Sequence, residues 1–266
     1  MRYLLPLVLI FASCASVIET RKDYNDSIIY IDELDLNSNP STSLIDSTPS
    51  NGHPVFLGVS PSLSNEDKET AAALVNAAEQ AVKYYYVKGL AGYFTAEIGS
   101  QGVDSDTFKA EWEKSRVEEL INELEIIRIV KDRNGTYVLA ELKNGSVGYS
   151  NFNSGYDLKE GPDWLFNAPL ISGYFVGVGG TKISRLISDS IKKADDMALA
   201  SLISSISTSI YAGHTILEDT SESNYDRILS ISKAEIYGFN VISRWMSNDG
   251  KYIYSLAVCR DGKPFE

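Results

Sequence analysis

Two histidines, two cysteines, a glycine-rich run and an acidic run are the parts of this sequence with obvious chemical potential. His53 and His214 would interest a metal ion, but zinc needs a dense ligand set such as H-E-x-x-H or C-x-x-C, and neither pattern occurs. One histidine ends a polar stretch and the other follows a helical pattern with Gly213 as its stop, so both read as solvated loop residues. Gly177-Val178-Gly179-Gly180-Thr181-Lys182 resembles a phosphate loop only superficially. A dinucleotide fingerprint needs glycine where Lys182 stands, and a Walker loop needs Gly-Lys-Ser/Thr after a four-residue gap. These glycines read instead as a sharp turn between strand and helix. Serine hydrolysis lacks its G-x-S-x-G elbow. Glu218, Asp219, Glu222 and Asp226 lack the ordered spacing and glycine turn of a calcium loop, and read as a solvated linker. Tyr84-Tyr85-Tyr86 point three ways on a helix, so one packs and the others line a groove or interface. Trp164 staples the loop ahead of the second half of the chain. The reading is of no catalytic residue, no cofactor and no metal site, and of a protein that is not an enzyme.

The cysteines remain. Cys259 sits in a strand-like apolar run and reads as core. Cys14 follows Arg2, an apolar stretch from Tyr3 to Ala12, and Ser13. That stretch is far shorter than the ~20 residues of a spanning helix and has the layout of a secretory leader. Phe11-Ala12-Ser13-Cys14 resembles the lipobox of bacterial lipoproteins, with Phe11 where leucine is usual. The resemblance implies cleavage between Ser13 and Cys14, diacylglycerol on the Cys14 sulfur and an acyl chain such as palmitate on its amine. Each buried CH₂ then contributes about 0.8 kcal/mol to anchoring. Ala15 is not the aspartate associated with inner-membrane retention, which points to the outer membrane. An acylated Cys14 leaves Cys259 without a disulfide partner.

The chain of 266 residues carries a formal net charge of −12. That excludes nucleic acid as a partner, since phosphate neutralisation needs clustered Lys and Arg, and it disfavours docking on anionic lipid. Membrane contact is expected through the anchor. With 44% hydrophobic residues the chain can build a packed core. We divide it into a signal peptide (1–13), an acylated cysteine and tether (14–53), and two units (54–155 and 156–266). Within the tether, Ile28 to Ile31 could make a short strand.

The elements that must carry these residues are expected to be α+β. Phe56-Leu57-Gly58-Val59 resembles Phe175-Val176-Gly177-Val178, and Asn134-Gly135-Thr136-Tyr137 resembles Asp249-Gly250-Lys251-Tyr252, at nearly the same offset. Long helices are predicted from near Ser64, where Ser64-Asn65-Glu66-Asp67 offers a cap followed by acids, to a stop at Gly89, and from about Ser184 to Ala212, each with an alanine-bearing stripe. A shorter helix is predicted over Thr107 to Leu124. Asn134-Gly135 and Asp249-Gly250 predict hairpins joining 126–130 to 137–142 and 240–245 to 252–259. In the last strand Tyr252, Tyr254, Leu256 and Val258 share one face, and Ile253, Ser255, Ala257 and Cys259 the other. The expectation is two tandem repeats, each with helices on one face of a small antiparallel sheet.

Gly161-Pro162-Asp163-Trp164, Tyr174-Phe175-Val176-Gly177-Val178-Gly179, the helix with Ala194, Ala198 and Ala200, and Ser243-Arg244-Trp245 with Asp249-Gly250-Lys251-Tyr252 resemble the Lpp-twenty family of outer-membrane lipoproteins. They are also similar to the N-terminal domain of flagellar assembly protein T. The resemblance covers roughly residues 160–260 and is weaker in the first unit, where Gly58-Val59-Ser60 lacks a second glycine. It implies an envelope lipoprotein without an established catalytic centre. The expected function is a noncatalytic structural or protein-interaction module, held to membrane lipid through Cys14 and meeting an envelope protein partner. The alternative is a small-ligand or glycan binder using a groove between the repeats.

Overall fold

The computed structural model describes residues 28–30, 52–98, 101–149, 156–157, 161–214 and 230–261. The fold is α+β. In chain order it forms β1 (Ile28–Tyr30), β2 (Val55–Pro61), α1 (Glu66–Tyr85), β3 (Val87–Ile98), β4 (Gln101–Glu111), α2 (Val117–Glu123), β5 (Leu124–Asp132) and β6 (Gly135–Leu142). There follow β7 (Tyr156–Asp157), β8 (Gly161–Pro162), β9 (Tyr174–Lys182), α3 (Ile187–His214), β10 (Ser230–Ile236), β11 (Asn240–Met246) and β12 (Tyr252–Arg260). Among the described residues, no helix is long and apolar enough to cross a membrane.

Two sheets share one plan. In the first the order is β1-β5-β6-β2, and in the second β11-β12-β9. Each plan is a strand, a long helix, and a hairpin whose last strand lies antiparallel to the first. Each hairpin breaks register once, between Ile126 and Arg128 and between Val241 and Ser243. Gly58 faces Val138 across its ladder, and Gly179 faces Ser255. A Cβ on Gly58 would lie 1.9 Å from the Ala73 carbonyl oxygen, and one on Gly179 would lie 2.0 Å from the Ala198 nitrogen. Only glycine admits a helix backbone that close. Ahead of the helices, Leu63 N–H donates to Glu69 Oε2 (2.8 Å) and Ser184 N–H to Ser190 Oγ (2.9 Å). The strand correspondence is thus Gly58 with Gly179, two residues on from the match suggested by Phe56 and Phe175.

A third sheet, β10-β3-β4, takes strands from both halves. α3 lies over it, with Leu199, Leu202 and Ile203 packed among Val87, Ala234 and Ile236. Each of the other sheets takes a helix on one face, as expected. The remaining face is covered too. α1 packs on Phe56, Val138 and Ala140, while Val55, Leu57, Val59 and Leu139 on the opposite face receive Ile191 and Ala194 of α3. All of β6 and β11 is consequently buried. The two faces of β12 follow the predicted alternation: Leu256 and Val258 join the α1 side, Ala257 and Cys259 the α3 side.

Two expectations in the first half fail. Gly89 does not stop α1, which ends at Tyr85; it lies within β3, where a Cβ would meet Ile203 Cδ1 at 2.0 Å. The helix predicted over Thr107 to Leu124 is β4 as far as Glu111, and only Val117–Glu123 is α-helical. Phe108 and Ala110 pack by strand alternation, which the longer 3–4 spacing to Trp112 and Val117 imitates. The first long helix begins at Glu66, near Ser64 as expected, with Asn65 as the cap, its Oδ1 accepting from Lys68 N–H at 2.9 Å.

Candidate interaction surface at one end of the body

Cys14 and the acidic run Glu218, Asp219, Glu222 and Asp226 lie outside the described residues. His53 does sit in a loop, its Nδ1 2.9 Å from the Gly145 carbonyl oxygen. His214 is instead the last residue of α3, which runs through Gly213. Glycine weakens a helix by only about 1 kcal/mol and does not end one alone. Gly177 to Lys182 are not a turn: they lie in β9, where Gly177 and Gly179 admit α3 and Gly180 makes room for the Tyr254 ring. Cys259 is fully buried, and burial pushes its thiol up to about 12. Trp164 is buried in the main core, consistent with a staple. Of the three tyrosines, Tyr84 packs; Tyr85 lies under the Arg116 guanidinium (4.8 Å), and Tyr86 meets Tyr237 (5.3 Å).

Sequence reasoning missed one polar constellation altogether. Asp195 on α3 accepts from Arg244 Nε (2.9 Å) and Nη2 (2.8 Å) on β11, and from Ser255 Oγ (2.7 Å) on β12. The Asp195 and Arg244 side chains are 3% and 1% exposed, so this bidentate pair is a core feature. Positions in matching register in the first half are Leu74, Ile129 and Val138, all buried together. The same place is ionic in one half and hydrocarbon in the other. Its signal in the sequence was an acid, the first of Asp195-Asp196, within an alanine stripe and a lone arginine between Ile242 and Trp245. A second ion pair joins the halves: Lys83 Nζ lies 3.2 Å from Asp196 Oδ1 and 4.4 Å from the Trp112 ring centre.

A cluster of hydrogen-bonding groups gathers at one end of the sheets, where Leu124 faces Leu142 and Tyr174 faces Arg260. Residues 143–149 cross this end and are pinned from several sides. The Ser146 carbonyl accepts from Tyr84 Oη and Arg260 Nη2, both at 2.7 Å. Gly148 N–H donates to Tyr174 Oη (2.8 Å), and Asn240 Nδ2 to Tyr149 Oη (3.1 Å). Burial pushes the Tyr84 phenol up to about 12, and raises that of Tyr149 further. The chain enters the body here, with Val147 N–H donating to the Gly52 carbonyl (2.9 Å). The loop from Asp163 to Gly173 also ends here, Asp261 N–H donating to Gly173 at 2.9 Å.

Set against protein families, curated proteins and solved structures, the chain matches none. The resemblance drawn above therefore rests on its quoted residues alone. The seam between the halves is lined by Phe56, Leu57, Gln80, Phe239, Asn240, Val241 and Arg244, and packing leaves no room there for a water molecule. Among the described residues, no three His, Cys, Asp or Glu side chains converge as a metal site. The surface at the Tyr174 end is polar and hydrogen-bonded at its base, and its outermost residues are apolar: Phe166 is 63% exposed and Leu170 wholly so. No strand or helix pattern announced it. The signal was an absence of charge, since every residue from Trp164 to Thr181 is neutral.

Proposed function

We propose that this protein is a bacterial envelope lipoprotein, anchored through acylated Cys14, whose body is a noncatalytic structural or protein-interaction module of the outer membrane. The observation that carries the reading is Phe11-Ala12-Ser13-Cys14 at the end of a short apolar run, ahead of a separately folded body. Acylation would hold the body at a surface and raise its effective concentration near an envelope partner. Support for a binding platform rather than a ligand pocket comes from the closed seam between the halves. We also propose that the halves are diverged copies of one unit, related to the Lpp-twenty family. The shared strand order, the shared register break in the hairpins and the paired glycines Gly58 and Gly179 support this.

The test compares wild type with Cys14→Ser in the native host. Wild type is expected in the detergent phase, with a mass for its N-terminal peptide that includes diacylglycerol and acyl chains. The serine variant is expected in the aqueous phase with loss of crosslinked envelope partners. Wild type with an unmodified N-terminus, or identical partner sets for both proteins, overturns the proposal.

A further inference from the structure

We propose that the loop around Phe166 and Leu170 is a membrane-inserting contact that seats the body directly on a zwitterionic lipid surface. The inference rests on the lipoprotein reading for its biological setting, though not for its physical test.

The loop is built unlike the rest of the surface. Trp164 is buried, and Leu165 and Ile171 pack against the core, so the base of the loop is fixed. Phe166 and Leu170 turn outward, at 63% and 103% exposure, while the other exposed large apolar residues, Leu63, Ile127, Leu186 and Tyr252, stand at 42–46%. Scattered single apolar residues are ordinary on a protein surface. Two nearly bare ones four residues apart, on a segment with no charge between Asp163 and Lys182, are a different feature.

Position selects lipid as the occupant. β1 runs parallel to β5, with Ile28 opposite Ile129 and Tyr30 opposite Lys131. β1 therefore runs in the direction from the Leu124 end of β5, which Leu142 shares, toward the Asp132 end. Leu142 N–H donates to the Pro54 carbonyl, and residues 145–148 connect this end to Tyr174 and Gly173 through the bonds given above. Residues 15–27 separate Cys14 from β1, a reach of roughly 45 Å at most. The N-terminal end of β1, the end nearer Cys14 in sequence, is thus the one turned toward the uncharged loop. The opposite end carries Lys131, Arg133, Lys182, Arg185, Asp249 and Lys251, and the near end carries the exposed Lys143–Glu125 pair with Arg260 and Asp261, so burial in a bilayer interface is confined to the uncharged loop itself. Charge also chooses the lipid. Asp163 and Asp261 flank the loop and the whole chain is acidic, so contact comes from apolar insertion into neutral headgroups rather than attraction to anionic ones.

The experiment uses the full mature chain in two forms, acylated and Cys14→Ser. A polarity-sensitive dye is attached at Leu170→Cys, or at Asn248→Cys on the far end, with buried Cys259 unlabelled. Vesicles of phosphatidylcholine and phosphatidylethanolamine contain brominated acyl chains as quencher. The expected result is blue-shifted, quenched emission from position 170 and none from position 248, in acylated protein at once and in the Cys14→Ser form at higher lipid concentration. Phe166→Asp should weaken vesicle binding of the Cys14→Ser form about tenfold or more. Replacing part of the lipid with phosphatidylglycerol should not strengthen it. Equal quenching at both positions, a dye at 170 that stays aqueous, or protection of that dye only by envelope protein extract overturns the proposal. The mass of the N-terminal peptide separately reports acylation, so a chain lacking lipid at Cys14 would sink the anchoring proposal while the Cys14→Ser form still decides the loop.

Discussion

Replacing Asp195 with leucine removes one partner of an ion pair that is shut away from water. Three hydrogen bonds of 2.7–2.9 Å disappear, two of them charge-assisted from the Arg244 guanidinium, whose side chain is only 1% exposed. Breaking a buried pair in this way costs about 3–5 kcal/mol, mainly because the remaining charge is stranded in a low-dielectric site. With an m-value near the upper end of the usual range, about 3 kcal/mol per molar urea for a body this size, the unfolding midpoint should fall by about 1–2 M. The first half of the molecule suggests the remedy, since Leu74, Ile129 and Val138 occupy the corresponding places without any charge. A triple variant, Asp195→Leu with Arg244→Met and Ser255→Ala, exchanges the constellation for hydrocarbon. Methionine follows the straight stem of arginine and alanine limits overpacking. The triple variant should return to within about 2 kcal/mol of the parent. The assay is equilibrium urea unfolding of the full chain, followed by tryptophan fluorescence and far-ultraviolet circular dichroism. If the single variant loses less than about 1 kcal/mol, or the triple is no better than the single, the reasoning about desolvated charge at this site is wrong.

Other perturbations address different links between sequence and stability. Gly58→Ala and Gly179→Ala each force a methyl group into a helix backbone and should cost about 1–3 kcal/mol or more, whereas Gly250→Ala, with φ +66° and open space around it, should cost about 1 kcal/mol; thermal unfolding ranks them. Cys259 should resist a thiol reagent at pH 8 in the folded protein and react at once in urea, because burial holds its thiol near 12. Tyr84 is likewise raised from 10.0 to about 12, so the unfolded chain loses its proton first. That stabilisation is fully present below pH 10 and is lost as pH rises toward 12, which urea midpoints should trace as a plateau from pH 8 to about 9.5 and a decline above it. Tyr84→Phe should flatten part of that slope.

The hairpins were legible because Asn134-Gly135 and Asp249-Gly250 are local instructions flanked by alternating apolar residues. The long helices were legible because their alanine stripes persist over many turns. β3 and β4 were not, although they pair with each other as a local hairpin, because Phe108, Trp112 and Val117 imitate helical spacing; β10 was not, because its partner β3 lies far along the chain. Lys88 pairs with Glu235, and nothing near either residue announces the other. Gly89 read as a stop because glycine has two uses, and only the approach of Ile203 distinguishes them. The Asp195–Arg244 pair was equally hidden, since forty-nine residues of separation conceal a 2.8 Å contact. The outward pair Phe166 and Leu170 was present as composition, but which apolar residues of a neutral loop pack and which remain bare is decided by the shape of the core.

The sheet that draws β3 and β4 from one half and β10 from the other has a consequence for biogenesis. A nascent or translocating polypeptide delivers residues 54–155 first. At that stage Val55, Leu57 and Val59 have no α3 over them, and the outer edge of β3 awaits a strand more than a hundred positions downstream. Maturation therefore cannot proceed one half at a time. The early portion must be kept from clustering with its neighbours, by a holdase or by speed of passage, until the final third of the polypeptide arrives to close both gaps in a single cooperative step.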